Sequence, residues 1–200
     1  YASGYTTSEM DSMFKSIDWK NKLSLSNKYS REFLFPDQKV VQDKGLLTVS
    51  LKGIKPMVPS YIATGQQVTE ILNTLFLNAR YKPNPDFNSL KIPFASVATN
   101  LDNGERTVFR DGNITECVKA SFTFPLLYNP TKIKNNFYVD GGLTANIPSS
   151  VAKDLGADYV IAVNTTSPLK PGEELRNNPV NTADQVLSIT MAQLNSLQLK

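Results

Sequence analysis

The stretch Phe137-Tyr138-Val139-Asp140-Gly141-Gly142 places an aromatic and β-branched run directly before an aspartate and two glycines. The run favours a strand, and the glycines allow an abrupt turn. Residues 147–155 then follow a helical pattern, and residues 158–163 predict a further, buried strand. Asp140 is therefore predicted at the carboxyl end of a strand in a β-α-β unit, the edge where open α/β sheets carry their ligands and chemistry.

The same aspartate also has a simpler interpretation as a turn residue. Asp-Gly is common turn chemistry, and the chain has another such pair at Asp111-Gly112 and a related turn at Asp102-Asn103-Gly104. From its local pattern alone, Asp140 is either a turn aspartate or a catalytic one.

The absence of histidine narrows the chemistry further than any other feature of the composition. Without histidine, the 200 residues cannot complete a Ser-His-Asp triad, a Cys-His pair or a histidine-based zinc site. The single cysteine, Cys117, excludes an internal disulfide framework. Cys117 lies in an apolar helical pattern, so it is predicted to be a packed thiol.

Length and charge are ordinary for a globular domain. Two hundred residues with 40% hydrophobic content suit one domain, or most of a larger one. The net charge of +3 comes from 21 basic and 18 acidic residues that are scattered along the chain. This charge is too small to favour nucleic acid as a partner, although it does not oppose contact with an anionic lipid surface.

Helices and strands are predicted in alternation, which indicates an α/β sandwich with a largely parallel sheet. Thr6 and Glu9 form a capping box, and Thr182 and Gln185 form a second one before a C-terminal amphipathic helix. Gly156 suits the position just after a helix end. The remaining predictions are helices over residues 8–16, 66–79 and 114–121, strands over 92–99 and 106–109, a strand or hairpin arm over 46–50, irregular structure over 18–44, and loops over 53–65 (a connector or a lid) and 167–179.

An aspartate base needs partners that the residues do not supply. A hydroxyl nucleophile must lie within hydrogen-bond reach, and an oxyanion site must lie nearby. The nucleophile elbow Gly-x-Ser-x-Gly is absent, because Ser3 in Tyr1-Ala2-Ser3-Gly4-Tyr5 lacks both flanking glycines. A glycine-rich oxyanion loop is also absent from the sequence.

Several segments together carry more information than any one of them. In this order and at this spacing they resemble segments of the patatin-like phospholipases, especially the bacterial group, across most of the chain. The segments are Tyr1-Ala2-Ser3-Gly4-Tyr5, Ile92-Pro93-Phe94-Ala95 with Val97-Ala98-Thr99-Asn100-Leu101 and the Gly104-Glu105 turn, Ala120-Ser121-Phe122-Thr123-Phe124-Pro125, and Val139-Asp140-Gly141-Gly142 with Asn146-Ile147-Pro148.

The resemblance implies a fold, a site and a reaction. The fold is a three-layer α/β/α sandwich with a mainly parallel central sheet, incomplete at its N-terminus, with residues 1–200 as the C-terminal part of the domain. The reaction is hydrolysis of lipid or phospholipid esters by a Ser-Asp dyad, with Asp140 as the base and Gly141 and Gly142 as its supporting turn. The serine and the oxyanion loop would lie before Tyr1, so these 200 residues alone are expected to be inactive.

Two functions of different classes remain open at this point. One is the distal part of a lipid acyl hydrolase, and the other is a non-catalytic patatin-like module for lipid binding or assembly. Neither needs a metal or another cofactor. The resemblance is compatible with a soluble, exported or membrane-associated bacterial domain, with further C-terminal domains, and with lipid rather than nucleic acid as the partner.

Overall fold

A computed structural model describes residues 1–19, 50–52, 55–57, 65–79, 86–166, 168–175 and 179–198. Within these residues, the chain is a mixed α/β structure. Its strands are β1 (Ser50–Lys52), β2 (Lys55–Met57), β3 (Ser96–Asn100), β4 (Arg106–Phe109), β5 (Thr131–Ile133) and β6 (Asn136–Asp140). Its helices are α1 (Thr7–Ser16), α2 (Gln66–Leu77), α3 (Ile114–Phe122), α4 (Gly142–Ala145), α5 (Ser149–Asp154), α6 (Gly172–Leu175) and α7 (Pro179–Gln198), with a 3₁₀ turn at Phe87–Ser89.

The main sheet has the strand order β4-β3-β6-β5, and each neighbouring pair is antiparallel. Two of the three pairs are hairpins. A turn containing Gly104 at φ +74° joins β3 to β4, and a tight turn containing Lys134 at φ +54° joins β5 to β6. Hairpins make their strands antiparallel by connectivity. The described residues therefore do not confirm the predicted three-layer sandwich with a mainly parallel sheet.

Strand β3 is the centre of the sheet, and all five of its residues are buried. Its successive side chains point to opposite faces, as pleated strands require. On one face Ala98 packs with Ala120 of α3 and with Tyr138. On the other face Val97 packs with Ala145 of α4 and Val151 of α5. Helices therefore cover both faces of the sheet at the strand that pairs with the end of β6.

A further apolar cluster joins the start of the chain to helix α3. It contains Phe87, Leu90, Ile114 and Cys117, and Ala2 and Phe76 pack against it. Cys117 is buried there, which confirms the prediction of a packed thiol. Burial raises the pKa of the thiol to about 11, so this cysteine is a poor nucleophile at neutral pH.

Helix ends agree with the sequence where the signal is local. The Thr6 side chain accepts from the Glu9 backbone N–H while the Glu9 carboxylate accepts from the Thr6 N–H, which confirms the first capping box. At the end of α5, Gly156 has φ +92° and donates to the Lys153 carbonyl, while Ala157 donates to the Ala152 carbonyl. These two bonds form a Schellman motif and confirm the predicted role of Gly156.

The second capping box is not at a helix end. Helix α7 begins at Pro179, three residues before Thr182, and proline is well suited to a first helical position. Helix α6 also lies inside the segment predicted as a loop over residues 167–179. Strand β3 begins at Ser96 rather than at Ile92, because Pro93 cannot donate to a ladder.

The predicted buried strand over residues 158–163 is wrong. No strand is present there among the described residues, and Tyr159, Ile161 and Val163 are 94%, 92% and 74% exposed. A β-prone sequence forms a strand only where a neighbour completes its hydrogen bonds, and none of the described strands pairs with this one. The predicted β-α-β unit is therefore not formed in the described part of the chain.

Some predictions fall largely outside the described residues. The irregular segment over 18–44 is described only to Trp19, and the hairpin arm over 46–50 only at Ser50, which begins β1. Within the predicted loop over 53–65, Lys55–Met57 form β2 and pair with β1 in antiparallel fashion. The remaining predicted helices are confirmed as α1, α2 and α3, with ends that differ by a residue or two from the predicted bounds.

Candidate functional site

Asp140 is the last residue of β6 and lies opposite Ala98 of the central strand β3. Its backbone N–H donates to the Thr123 carbonyl at 2.9 Å, and the next N–H, from Gly141, donates to the Ser121 carbonyl at 3.3 Å. The end of β6 is therefore joined to β3 on one side and to the end of α3 on the other. Both connections keep the aspartate in place at the edge of the sheet.

Of the two glycines after Asp140, Gly141 is required by space, and neither has the positive φ that favours glycine. Gly141 has an ordinary helical conformation, with φ −65° and ψ −21°. A Cβ on Gly141 would lie 2.2 Å from the carbonyl oxygen of Val97, which is a backbone atom that cannot move aside. A Cβ on Gly142 would meet Asn146 Oδ1 at 2.9 Å and Met191 Cε at 3.1 Å. The sequence interpretation of these glycines as sources of backbone freedom was wrong.

The Asp140 carboxyl group has one oxygen engaged by its own turn. The Gly142 N–H donates to Asp140 Oδ1 at 2.8 Å. Burial raises the pKa of Asp140 above its ordinary value of 3.8, and the hydrogen bond from Gly142 opposes part of that rise. A carboxylate with a raised pKa is a stronger base than an exposed aspartate and remains able to accept a proton.

Two threonine side chains lie beside the backbone of the turn that contains Asp140. The Thr99 hydroxyl donates to the Asp140 carbonyl oxygen at 2.9 Å and lies 3.0 Å from the Thr144 hydroxyl. Thr99 is buried, and burial of a hydroxyl is tolerated because this bond satisfies it. The sequence pattern does not single out these two threonines as part of the site. The available signal was Thr99 itself, a polar residue in the middle of a run predicted to be a central strand.

The end of the C-terminal helix α7 hydrogen-bonds to residues that follow the turn containing Asp140. Gln198 accepts from the Ile147 N–H at 3.1 Å and donates to the Thr144 carbonyl at 3.2 Å. The Asn146 amide donates to Asn195 Oδ1 at 3.0 Å. Residues near the end of α7 therefore stabilise the short helix α4 that follows Asp140. The apolar stripe predicted for this helix is only partly buried, because Met191 is buried whereas Val186, Ile189 and Leu197 are exposed.

A cavity of about 380 Å³ opens beside Asp140. Ligand pockets in proteins begin at roughly 300 Å³ and are mostly apolar with a few placed polar groups. This cavity has that character, because Asp140 is the one ionisable side chain among its described lining residues. Its apolar wall includes Phe94, Val97, Val118 and Phe122.

Ser121 also lines this cavity, as a residue of α3. It is a hydroxyl-bearing residue that lines the same cavity as Asp140, although in the sequence it stands out only as part of the family resemblance. Ser3, the other serine considered, is buried near the chain start and does not line the cavity. Among the described residues, no group of three His, Cys, Asp or Glu side chains is arranged to hold a metal ion. No helix among them combines the length and apolarity that a membrane span requires.

A family model and several curated relatives match parts of this chain. The family model for patatin-like phospholipase matches residues 1–153, which include Asp140, Gly141 and Gly142. An uncharacterized NTE family protein of Mycobacterium tuberculosis is 31% identical over 75 residues, which cover 38% of this chain and 21% of the relative.

Two further relatives come from distant organisms. Patatin-like phospholipase domain-containing protein 6 of Homo sapiens is 32% identical over 82 residues, covering 39% of this chain and 6% of the relative. A probable lipid hydrolase of Invertebrate iridescent virus 6 is 36% identical over 81 residues, which cover 34% of this chain and 28% of the relative. The matched regions thus span less than a third of each of these relatives. Because the family model covers most of the chain, the chain belongs to the patatin-like phospholipase family.

Proposed function

We propose that this chain is the part of a lipid acyl hydrolase that supplies the catalytic base, Asp140, with the nucleophilic serine outside residues 1–200. The observation that supports this most directly is the state of the Asp140 carboxyl group. It is half-buried at the edge of an apolar cavity, its pKa is raised by burial, and the Gly142 N–H engages Oδ1. That arrangement leaves Oδ2 available to accept a proton.

The proposed reaction proceeds in two halves. In the first half, Asp140 accepts the proton of the serine hydroxyl as its oxygen attacks the carbonyl carbon of a lipid ester. The tetrahedral intermediate then expels the alcohol part of the lipid, which takes the proton from Asp140, and an acyl-serine remains. In the second half, Asp140 accepts a proton from water as the water oxygen attacks the acyl-serine. The proton returns to the serine oxygen as the fatty acid leaves.

The apolar cavity would hold the acyl chain during both halves. Phe94, Val118 and Phe122 line it, and such side chains favour a hydrocarbon over a polar substrate. Backbone amides of a glycine-rich loop, which the family pattern places before Tyr1, would stabilise the negative oxygen of each intermediate. A dyad of this kind also agrees with a sequence that contains no histidine.

The proposal is tested by replacing the base in the full-length protein. Asp140→Asn keeps the size of the side chain and the acceptor for the Gly142 N–H, but it removes the basic oxygen. We expect hydrolysis of a nitrophenyl ester and of a phospholipid to fall by about 10²- to 10⁴-fold, the usual contribution of a general base. The matched control is Asp111→Asn, because Asp111 also precedes a glycine but is exposed and does not line the cavity.

Three outcomes would contradict parts of the proposal. Wild-type turnover in Asp140→Asn would remove Asp140 from the reaction. Robust ester hydrolysis by the 200-residue chain alone would show that the nucleophile lies within it, and Ser121→Ala would then identify it. Lipid binding without hydrolysis by the full-length protein would favour the non-catalytic module for lipid binding or assembly.

A further inference from the structure

A second cavity, of about 370 Å³, lies against the C-terminal helix α7. In contrast to the cavity at Asp140, most of its described lining residues carry polar side chains. They include Asn146, Thr166, Lys170, Asp184, Gln185 and Ser188. Hydroxyl, amide and charged groups together offer both donors and acceptors, which suits a polar ligand rather than a hydrocarbon.

The two cavities meet at Asn146, which lines both of them. The Asn146 amide nitrogen donates to Asn195 on α7, and Asn195 donates in turn to the Thr166 hydroxyl at 3.2 Å. On its other side, Asn146 Oδ1 lies so close to Gly142 that a Cβ there would be 2.9 Å away. Asn146 therefore stands between Gly142, at the turn after Asp140, and the polar groups of the second cavity.

One edge of the second cavity is fixed by a reciprocal amide contact. The Lys170 N–H donates to Gln185 Oε1 at 3.0 Å, and Gln185 Nε2 donates to the Lys170 carbonyl at 3.2 Å. These two bonds hold the backbone of Lys170 on helix α7. The charged side chain of Lys170 therefore starts from a defined position at the cavity wall.

The charges of the second cavity cancel. Lys170 Nζ and Asp184 Oδ2 form an ion pair at 2.7 Å, and they are the two charged residues among its described lining residues. Their side chains are 37% and 34% exposed, so the pair is only partly screened by solvent. A ligand with a net charge gains little from such a pair. A zwitterion can lie antiparallel to it, with its anion beside Lys170 and its cation beside Asp184.

We propose that this polar cavity is the subsite for the head group of a zwitterionic phospholipid. The phosphate would contact Lys170, the ammonium would contact Asp184, and the acyl chain would pass Asn146 into the cavity at Asp140. This assignment rests on the proposed lipid hydrolase function, and it makes that function more specific by naming the substrate class.

The test measures head-group binding without any ester to hydrolyse. Glycerophosphoethanolamine, a zwitterion without acyl chains, and glycerol 3-phosphate, an anion, are titrated into the full-length protein by calorimetry. We expect the zwitterion to bind about tenfold more tightly than the anion, which corresponds to one additional charge-assisted contact. Asp184→Asn leaves Lys170 unpaired and should reverse this preference.

Lys15→Met is the matched control. Lys15 forms an ion pair of the same 2.7 Å length with Asp11 on helix α1, and neither residue lines the second cavity. The control should leave both affinities unchanged, whereas Lys170→Met should weaken binding of the zwitterion about tenfold or more. Because neither ion pair is deeply buried, circular dichroism should show that all the variants stay folded.

The results separate this subsite from the proposed function. Ester hydrolysis without measurable binding of glycerophosphoethanolamine, or equal binding of the two ligands in wild type and Asp184→Asn, would overturn the subsite and leave the hydrolase. Selective binding of glycerophosphoethanolamine without any hydrolysis would support the subsite and overturn the hydrolase.

Discussion

Strand β6 and residues 158–163 have similar sequences and opposite structural outcomes. Both contain a tyrosine followed by a valine, and both are predicted to be strands. Tyr138 in β6 is buried between neighbouring elements, whereas Tyr159 is almost fully exposed. The difference lies in pairing, because β6 has β3 on one side and β5 on the other. None of the described strands lies beside residues 158–163.

The comparison also explains where the candidate base is found. The paired strand ends at Asp140, and its last residues receive support from β3, α3 and α7. Such support can maintain a partly buried carboxyl group that would otherwise draw in water. The unpaired segment contains Asp158, but that residue is exposed and has no comparable surroundings.

The largest expected effect comes from filling the space at the turn after β6. Gly141→Ala should lower the free energy of unfolding by about 3 kcal/mol, because the new Cβ would overlap a backbone carbonyl that cannot move aside. Gly172→Ala is the control, since nothing lies within 4 Å of a Cβ there, and it should change stability by less than about 0.5 kcal/mol. Urea denaturation measures both. Equal stability changes would contradict the close packing of Gly141.

The same substitution in the two segments compares them directly. Val139 in β6 is 1% exposed, and Val163 is 74% exposed. Val139→Ala should cost about 2 kcal/mol from lost burial and the cavity it leaves, whereas Val163→Ala should cost less than about 0.5 kcal/mol. A cost for Val163→Ala as large as that for Val139→Ala would mean that residues 158–163 are covered in solution.

Removal of the Thr99 hydroxyl should have a smaller effect on stability, and it should also lower turnover. Thr99→Val leaves the Asp140 carbonyl without its 2.9 Å hydrogen bond and should cost about 1 kcal/mol. In the full-length protein, we expect kcat to fall while KM stays constant, because the base is misplaced but the lipid cavity is intact. Thr99→Ser keeps the hydroxyl and should restore both stability and kcat. Failure of the serine to restore kcat would show that the hydroxyl does not position Asp140.

The smallest expected effect is on the pH dependence of stability. Because burial raises the pKa of Asp140, the folded state favours the protonated form, and the group contributes stability that is present at acidic pH. This contribution is lost as the pH rises through the raised pKa. Asp140→Asn should therefore have a slightly higher Tm than the wild type at pH 7, and the difference should shrink below the ordinary aspartate pKa. A lower Tm for the variant at pH 7 would contradict this sign.

Signals that act over a few residues were predicted correctly from the sequence. The Thr6–Glu9 capping box and the glycine after α5 depend on hydrogen bonds between residues that are at most five positions apart. Buried Cys117 was likewise evident from the helical pattern around it. The family resemblance was confirmed because it depends on the order of several segments rather than on the conformation of any one.

The relative direction of the strands and the surroundings of Asp140 could not be predicted from such local signals. A strand-forming sequence does not specify its neighbour, so the alternation of predicted elements favoured a parallel sheet where β3, β4, β5 and β6 are antiparallel. Thr99, which hydrogen-bonds to the Asp140 carbonyl, lies 41 residues earlier in the chain. Gln198, which hydrogen-bonds to the Thr144 carbonyl, lies in the last described turn of α7. The residues themselves therefore determined the local turns, the helix ends and the identity of the candidate base. Only the tertiary structure decided which strand was paired and which groups surround that base, because both depend on contacts between distant parts of the chain.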